Sequence, residues 1–369
     1  MQKKLIALAV AAAFSAPAFA DTTAYGIIDA AVANVSGSGQ KSDLLAISGG
    51  ASTSRLGVKV TEDLGNGLTA VGVLEYGLDS QNTDAIGGAT TKARQKMLAV
   101  AGSFGTVATG YLQTTGYDFA VAFDPVAGSL ASPLQNVTAG GSFFIGTVAK
   151  AARAARALAY ISPNLSGVTL AANYSTSVLD GGGTLGNLGQ ASSATVPAKT
   201  TAYLFSANYA NGPLTAGAVY LGATAGTSYL GAAATATVAV TEYAFGGSYD
   251  LGVAKLMGTY QSNKTGAAAA NTALSLSGVM PISTGAIAFT FAKNSMPANG
   301  AGQSTSASGF TAGYLHTLSK TTTAYAAYSS MSQGVGTRSY SVANNGLAAA
   351  TLDLGGSSSL IAVGLRKKF

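Results

Sequence analysis

The chain has 369 residues, only 9% of them charged, with 20 Lys and Arg against 14 Asp and Glu and a formal net charge of +6. So small an excess gives no basic stripe for nucleic acid. The lack of cysteine removes disulfide and thiol chemistry.

The first twenty residues carry Lys3 and Lys4, an apolar run from Leu5 to Phe14, and Ala18-Phe19-Ala20 ahead of Asp21. This is the layout of a cleaved secretory signal, and the run is too short to span a bilayer. Residues 1–20 are therefore expected to be removed, with 21–369 forming one domain. Loss of two lysines leaves 18 basic against 14 acidic groups, a net charge of +4.

Beyond the signal, mean hydropathy stays positive, yet no run approaches the about 18 apolar residues of a membrane helix. The apolar residues are dispersed by alternation. In Ser54 to Val60, Leu56, Val58 and Val60 share one face while Arg55, Gly57 and Lys59 share the other. The same pattern separates Ile287, Phe289 and Phe291 from Ala286, Ala288, Thr290 and Ala292. In the last strand Ile361, Val363, Leu365 and Phe369 alternate with Ala362, Gly364, Arg366 and Lys368, with Lys367 on the apolar side as at a membrane rim. Export, apolar composition and no helical span point to a closed transmembrane barrel; a soluble fibrous adhesin is the competing class.

Seven tight turns punctuate the strands: 65–67, 103–105, 162–167, 211–213, 250–252, 281–285 and 318–320. Their Gly, Asn and Pro suit hairpin geometry. Seven hairpins give fourteen strands, and terminal strands over 22–35 and 358–369 make sixteen. Eight longer connections alternate with the turns, at 36–50, 80–91, 113–152, 178–198, 224–239, 263–270, 295–308 and 333–357. Short turns on one side and long loops on the other are the layout of an outer-membrane barrel.

The third connection is the exceptional one. Gln113 to Lys150 holds Tyr117, Phe119, Phe123, Phe143 and Phe144, two prolines, and only Asp118 and Asp124 as acids. Aromatics in a long loop mean packing, so this loop is expected to fold into the barrel and set its width.

Several segments together carry a family resemblance: Tyr25-Gly26-Ile27-Ile28-Asp29, Ser54-Arg55-Leu56-Gly57 through Thr61-Glu62-Asp63-Leu64-Gly65 to Leu74-Glu75, Ser103 to Val107, Tyr160 with Ser162-Pro163-Asn164, Leu318-Ser319-Lys320, and the ending Val363 to Phe369. In order and spacing the chain resembles the Gram-negative trimeric porins of the β-proteobacterial type, over nearly its whole length. The resemblance implies a 16-stranded antiparallel transmembrane β-barrel with an inward-folded third loop, usually a homotrimer in outer-membrane lipid. It implies a channel for passive diffusion of ions and small hydrophilic solutes, with no enzyme activity. It also implies that the barrel-assembly machinery reads the terminal Phe369, which is equally placed to be a girdle aromatic. A surface adhesin or a structural barrel with a plugged lumen is the alternative reading.

The chain departs from its relatives in charge. Gly110-Tyr111-Leu112-Gln113 stands where the family has Gly-Arg-Gln, and Ala159-Tyr160-Ile161-Ser162-Pro163 lacks an Arg and an Asp. A less charged pore, weakly selective with a slight anion lean, is the expectation. Rings or opposed rows of charge set selectivity in such channels. Candidate constriction residues are Arg55 and Lys59 on the small-residue face, Arg153 and Arg156 after the loop, Asp118 and Asp124 within it, and Glu75 with Asp29 on the strands. Arg55 also reads as a salt-bridged wall residue and the two loop acids as anchors, Asp124 standing before Pro125 where a turn begins.

Chemistry at a site is not expected. The single histidine, His316, cannot supply both a catalytic pair and a metal set. Gly181-Gly182-Gly183 lacks the Lys-Ser/Thr of a phosphate loop, so no cofactor is anticipated.

Overall fold

The structure is a computed structural model that describes residues 20–81, 93–139, 143–147, 152–176, 201–226, 237–337, 340–342 and 353–369. The expected signal lies outside these residues but for Ala20, as do the 178–198 connection and most of 80–91.

The elements run β1 (Asp21–Gly37), β2 (Gln40–Ser48), β3 (Arg55–Gly65), β4 (Leu68–Gly77), β5 (Ala93–Gly102), β6 (Gly105–Gln113), α1 (Thr115–Phe123), α2 (Pro133–Ala139), β7 (Arg153–Ile161) and β8 (Val168–Ser175). They continue with β9 (Thr201–Asn211), β10 (Leu214–Gly226), β11 (Thr237–Asp250), β12 (Lys255–Thr265), β13 (Asn271–Ile282), β14 (Gly285–Ser295), β15 (Ala307–Thr317), β16 (Thr322–Gln333) and β17 (Ser357–Lys368). Each strand pairs antiparallel with its neighbours, and β1 pairs with β17 from Ile27↔Lys368 to Gly37↔Ser358, closing the sheet. Closure leaves no row of unpaired backbone groups to meet hydrocarbon.

Seventeen strand segments occupy sixteen positions. β2 pairs with the loop-side half of β1 and β3 with its turn-side half, so the two are one strand interrupted over 49–54. This corrects the expected long connection at 36–50. The polar run Gln40 to Asp43 reads as loop by composition, but its backbone continues the ladder with β1, and at the wet end of a hairpin both faces tolerate polar side chains. The 263–270 connection is likewise shorter, because β12 runs to Thr265 and β13 starts at Asn271. All seven tight turns are present.

Alternation sorts the side chains into two faces. Val32, Leu74, Leu98, Phe245, Leu276 and Val363 stand more than half exposed on one face. An exposed apolar belt of that extent fits lipid, not water. The opposite face carries small and polar residues, among them Ser206, Thr259, Gln261, Asn263, Ser275, Thr311 and Ser329.

The segment after β6 packs against that polar face. Thr114 caps α1 through Tyr117 N–H at 3.3 Å, and Asp124 closes it with its N–H on Ala120 O at 2.9 Å. Pro125 then disfavours further helix. Ser132 starts α2 by accepting from Gln135 N–H at 3.1 Å, with Pro133 at the first helical position. Two apolar feet hold the segment. Phe119, Phe123, Phe144 and Ile145 cluster with Leu204 and Leu221, while Leu130, Leu134 and Val137 cluster with Tyr325, Met331, Tyr340 and Leu360. Gly217 and Gly246 make room for Phe123, since a Cβ at either would stand 2.9 or 2.5 Å from its ring.

Candidate functional site

The foot of this segment gathers arginines around one carboxylate. Glu75 on β4 is buried; it accepts from Arg94 Nε at 2.6 Å and from Tyr25 OH at 3.1 Å, with Arg55 Nε at 3.8 Å. Arg153 donates through Nε to Arg94 O at 2.9 Å and through an Nη to Ala152 O at 2.9 Å, and its guanidinium lies 4.5 Å from the Tyr117 ring centroid. Arg55 is held at the strand break by Thr53 O, 3.2 Å from an Nη. Two guanidiniums, Arg55 and Arg94, pair with Glu75, while Arg153 has Asp118 as its neighbouring acid, so three cations face two carboxylates. The ring face of Tyr117 and the carbonyls hold them without neutralising them.

Strand alternation misses Arg94. By parity it shares the apolar face with Lys96, Leu98 and Val100. The β4–β5 ladder steps from Glu75↔Gln95 to Tyr76↔Ala93, so Arg94 is the extra residue of a bulge, and the bulge re-aims its side chain at Glu75. Arg94 thus brings a basic group to this part of the wall from the strand next to Gly110-Tyr111. The sequence holds a hint only in the density of cations in Arg94-Gln95-Lys96.

The other expected residues divide. Arg55, Glu75 and Arg153 meet in the cluster. Lys59 lies four residues further along β3 toward the short turn. Arg156 is exposed, with φ 49°, opposite a second irregularity between Gly110 and Leu112 of β6. Asp29 is fully buried and engaged by Ser52 N–H at 2.8 Å, Ala51 N–H at 3.2 Å and Tyr325 OH at 2.5 Å. It pins the 49–54 interruption rather than offering a free charge. Phe369 pairs with Gly26 in both directions, at 3.0 and 3.2 Å, and its ring occupies the space a Cβ at Gly26 would need.

Both acids of the long segment are held inside it. Asp118 accepts from the Gln113 side-chain amide, near Arg153. Asp124 accepts from Ser132 OH at 2.5 Å and Val126 N–H at 3.0 Å, tying the end of α1 to the start of α2. That is the anchoring role. Burial pushes each carboxyl up to about 6, more than the hydrogen bonds lower it. The folded protein therefore binds these protons more tightly than the unfolded chain does. Packing of the segment gains as pH falls through 6, levels off below about 4, and is weakest when both groups are ionised; a two-unit shift corresponds to roughly 3 kcal/mol per group. The melting temperature should rise from pH 7.5 to pH 5, and Asp124→Asn should flatten that rise by about half, read by heat-dependent gel mobility.

Glu242, which no sequence signal singled out, clamps the far end. Its carboxylate accepts from Phe144 N–H at 2.8 Å, Ile145 N–H at 3.1 Å and Asn263 Nδ2 at 2.9 Å. Gln261 and Asn294 donate to Ile145 O and Val137 O at 3.2 and 2.9 Å, and Thr311 to Ala131 O.

Comparison with known proteins identifies the family and the fold. A family model described as Gram-negative porin covers residues 7–334. Outer membrane porin protein 32 of Delftia acidovorans is 33% identical over 275 residues, 72% of this chain and 70% of that protein. An outer membrane porin protein of Bordetella pertussis is 31% identical over 286 residues, with the same two shares. Among solved structures, an anion-selective porin from Comamonas acidovorans aligns with a TM-score of 0.75 at 24% identity, over 95% of this chain and 100% of that one. OmpT of Vibrio cholerae aligns at 0.63 and 15% identity, over 95% and 98%. With a matched model spanning most of its length and two relatives above 30% identity, the chain belongs to the Gram-negative porin family: it is an outer-membrane β-barrel for passive diffusion.

Proposed function

We propose that the polar face encloses a water-filled lumen, that residues 113–150 narrow it, and that Arg55, Arg94 and Arg153 make the narrow zone favour small anions. α1 touches β8 to β12 and α2 touches β13 to β16, always on the polar face. A segment that reaches nine consecutive strands of a closed wall is best accounted for on its concave side. The observation that carries the selectivity is the gathering of three guanidiniums, against the carboxylates of Glu75 and Asp118, where the segment leaves β6 and enters β7. In a narrow low-dielectric throat, fixed charges act on ions more strongly than in bulk water. A fold-level neighbour is described as anion-selective, which agrees with this reading. The loop acids Asp118 and Asp124 act on the throat through the packing of the segment. Transport is passive, with no chemical step.

We further infer a homotrimer in outer-membrane lipid, with Phe369, more than half exposed at the closing seam, available to the assembly machinery. Refolded protein in a planar bilayer under a KCl gradient should give stable steps and a reversal potential on the anion side. A folded, heat-modifiable barrel with no conductance would overturn the lumen reading in favour of a plugged structural barrel.

A further inference from the structure

The interruption over 49–54 is braced at both ends. Asp29 accepts from the Ala51 and Ser52 amides at 3.2 and 2.8 Å. The Ser54 hydroxyl accepts from Asp29 N–H at 2.9 Å and donates to Asp29 O at 3.0 Å, while Leu78 N–H donates to Ser54 O at 2.8 Å. Thr53 lies between these anchors and makes two contacts of a different kind. Its hydroxyl donates to Gly128 O at 3.0 Å, 75 residues later in the chain, and its own carbonyl accepts from an Arg55 Nη at 3.2 Å. In an uninterrupted strand that carbonyl would serve the ladder; here it serves Arg55.

Gly128 belongs to the turn between α1 and α2. Its N–H donates to Gln135 Oε1 at 3.3 Å, its φ is 78°, and a Cβ there would stand 2.8 Å from Tyr117 OH. Positive φ and close approach both call for glycine. Tyr117 in turn holds the Arg153 guanidinium over its ring. α1 and α2 lie against β8 to β16, and the turn between them meets the wall at the β2–β3 interruption. Thr53 therefore joins the constricting segment to the backbone that holds one arginine of the cluster. Thr311 on β15 makes a similar bond to the segment, its hydroxyl donating to Ala131 O, but its other hydrogen-bond partner is Ser329 and not an arginine.

We propose that Thr53 is a positioning residue for ion selection, acting through Arg55: it fastens the turn of the segment and the Arg55 guanidinium to one piece of backbone, and so fixes how far that charge stands from the ion path. The proposal rests on the reading of the arginine zone as the throat. Coulomb energy varies inversely with distance, so moving a fixed charge by about 1–2 Å when it stands about 4 Å from an ion changes the preference between ions several-fold.

The test compares wild type, Thr53→Val, Thr53→Ser and Thr311→Val as refolded, heat-modifiable barrels in planar bilayers under a KCl gradient. Thr53→Val keeps the shape and removes the donor; it is expected to lower the chloride-to-potassium permeability ratio about threefold, with Thr53→Ser staying within about 1.5-fold of wild type. Thr311→Val should add current fluctuations and leave the ratio within about 1.5-fold, because it loosens the segment away from the arginines. In an Arg55→Gln background the Thr53→Val shift should fall to less than about half, since the group it positions is gone. A Thr53→Val channel with the wild-type ratio would overturn the proposal while the arginine reading stands. So would an equal shift in Thr311→Val, or an undiminished shift in the Arg55→Gln background. A wild type without anion preference would defeat the arginine reading itself, and this proposal with it. Thr53→Ala, which removes the same hydroxyl, carries the comparison if Thr53→Val does not refold.

Discussion

Replacing Arg55, Arg94 and Arg153 together by glutamine is expected to move the reversal potential in a KCl gradient from the anion side to the cation side. Counting Glu75 and Asp118 as the local carboxylates, the balance would go from +1 to −2. A unit charge about 4 Å from an ion path is worth between roughly 1 kcal/mol in water and 4 kcal/mol at an effective dielectric of 20. Each neutralised arginine should therefore shift the chloride-to-potassium permeability ratio several-fold. Among single changes, Arg94→Gln should act most strongly, because it also releases Glu75 from its 2.6 Å partner and returns a negative charge to the throat. Arg156→Gln should leave the ratio nearly unchanged. A triple variant that kept the wild-type reversal potential would show that ions do not pass this cluster.

Glu242→Ala should loosen the segment between β6 and β7 at its far end. The substitution strands the buried Phe144 and Ile145 amides and removes the partner of Asn263. Hydrogen bonds to a charged acceptor contribute about 1.5–3 kcal/mol each, and the loss of this clamp is expected to cost on the order of 3 kcal/mol in segment packing. Single-channel records should then show frequent transitions to a larger conductance. Protease cleavage between 143 and 147 should appear in the variant and not in the wild type. The apolar feet of Phe119, Phe123, Leu134 and Val137 keep the segment from leaving altogether, so ion preference should fall only partly. Steady wild-type conductance together with unchanged protease resistance would remove Glu242 from the account.

These two predictions draw on residues of different legibility. Arg55 and Arg153 stand out in the sequence as cations beside a strand turn or a long aromatic loop. Arg94 and Glu242 do not. Arg94 belongs by parity to the lipid-facing set, and only the β4–β5 bulge turns it inward. Glu242 is a lone acid in a strand, and its role exists because two backbone amides nearly a hundred residues earlier in the chain come to rest on it.

What the sequence by itself determined is whatever depends on a local period. Alternation of two specifies which face of β3, β14 and β17 meets lipid, and it placed Arg55, Lys59, Arg366 and Lys368 on the opposite face. Gly, Asn and Pro placed the seven turns, because the turn geometries need their backbone angles. The number of strands and the exceptional length of 113–150 follow from that spacing. Only the tertiary structure decided what depends on register and closure: that Gln40 to Ser48 pairs as a strand, that Asp29 pins the interruption beside it, that Asp124 joins the two helices, and that the guanidiniums converge on Glu75. Each of these is a contact between segments distant in the chain, whose energy comes from pairing and burial that no single segment contains.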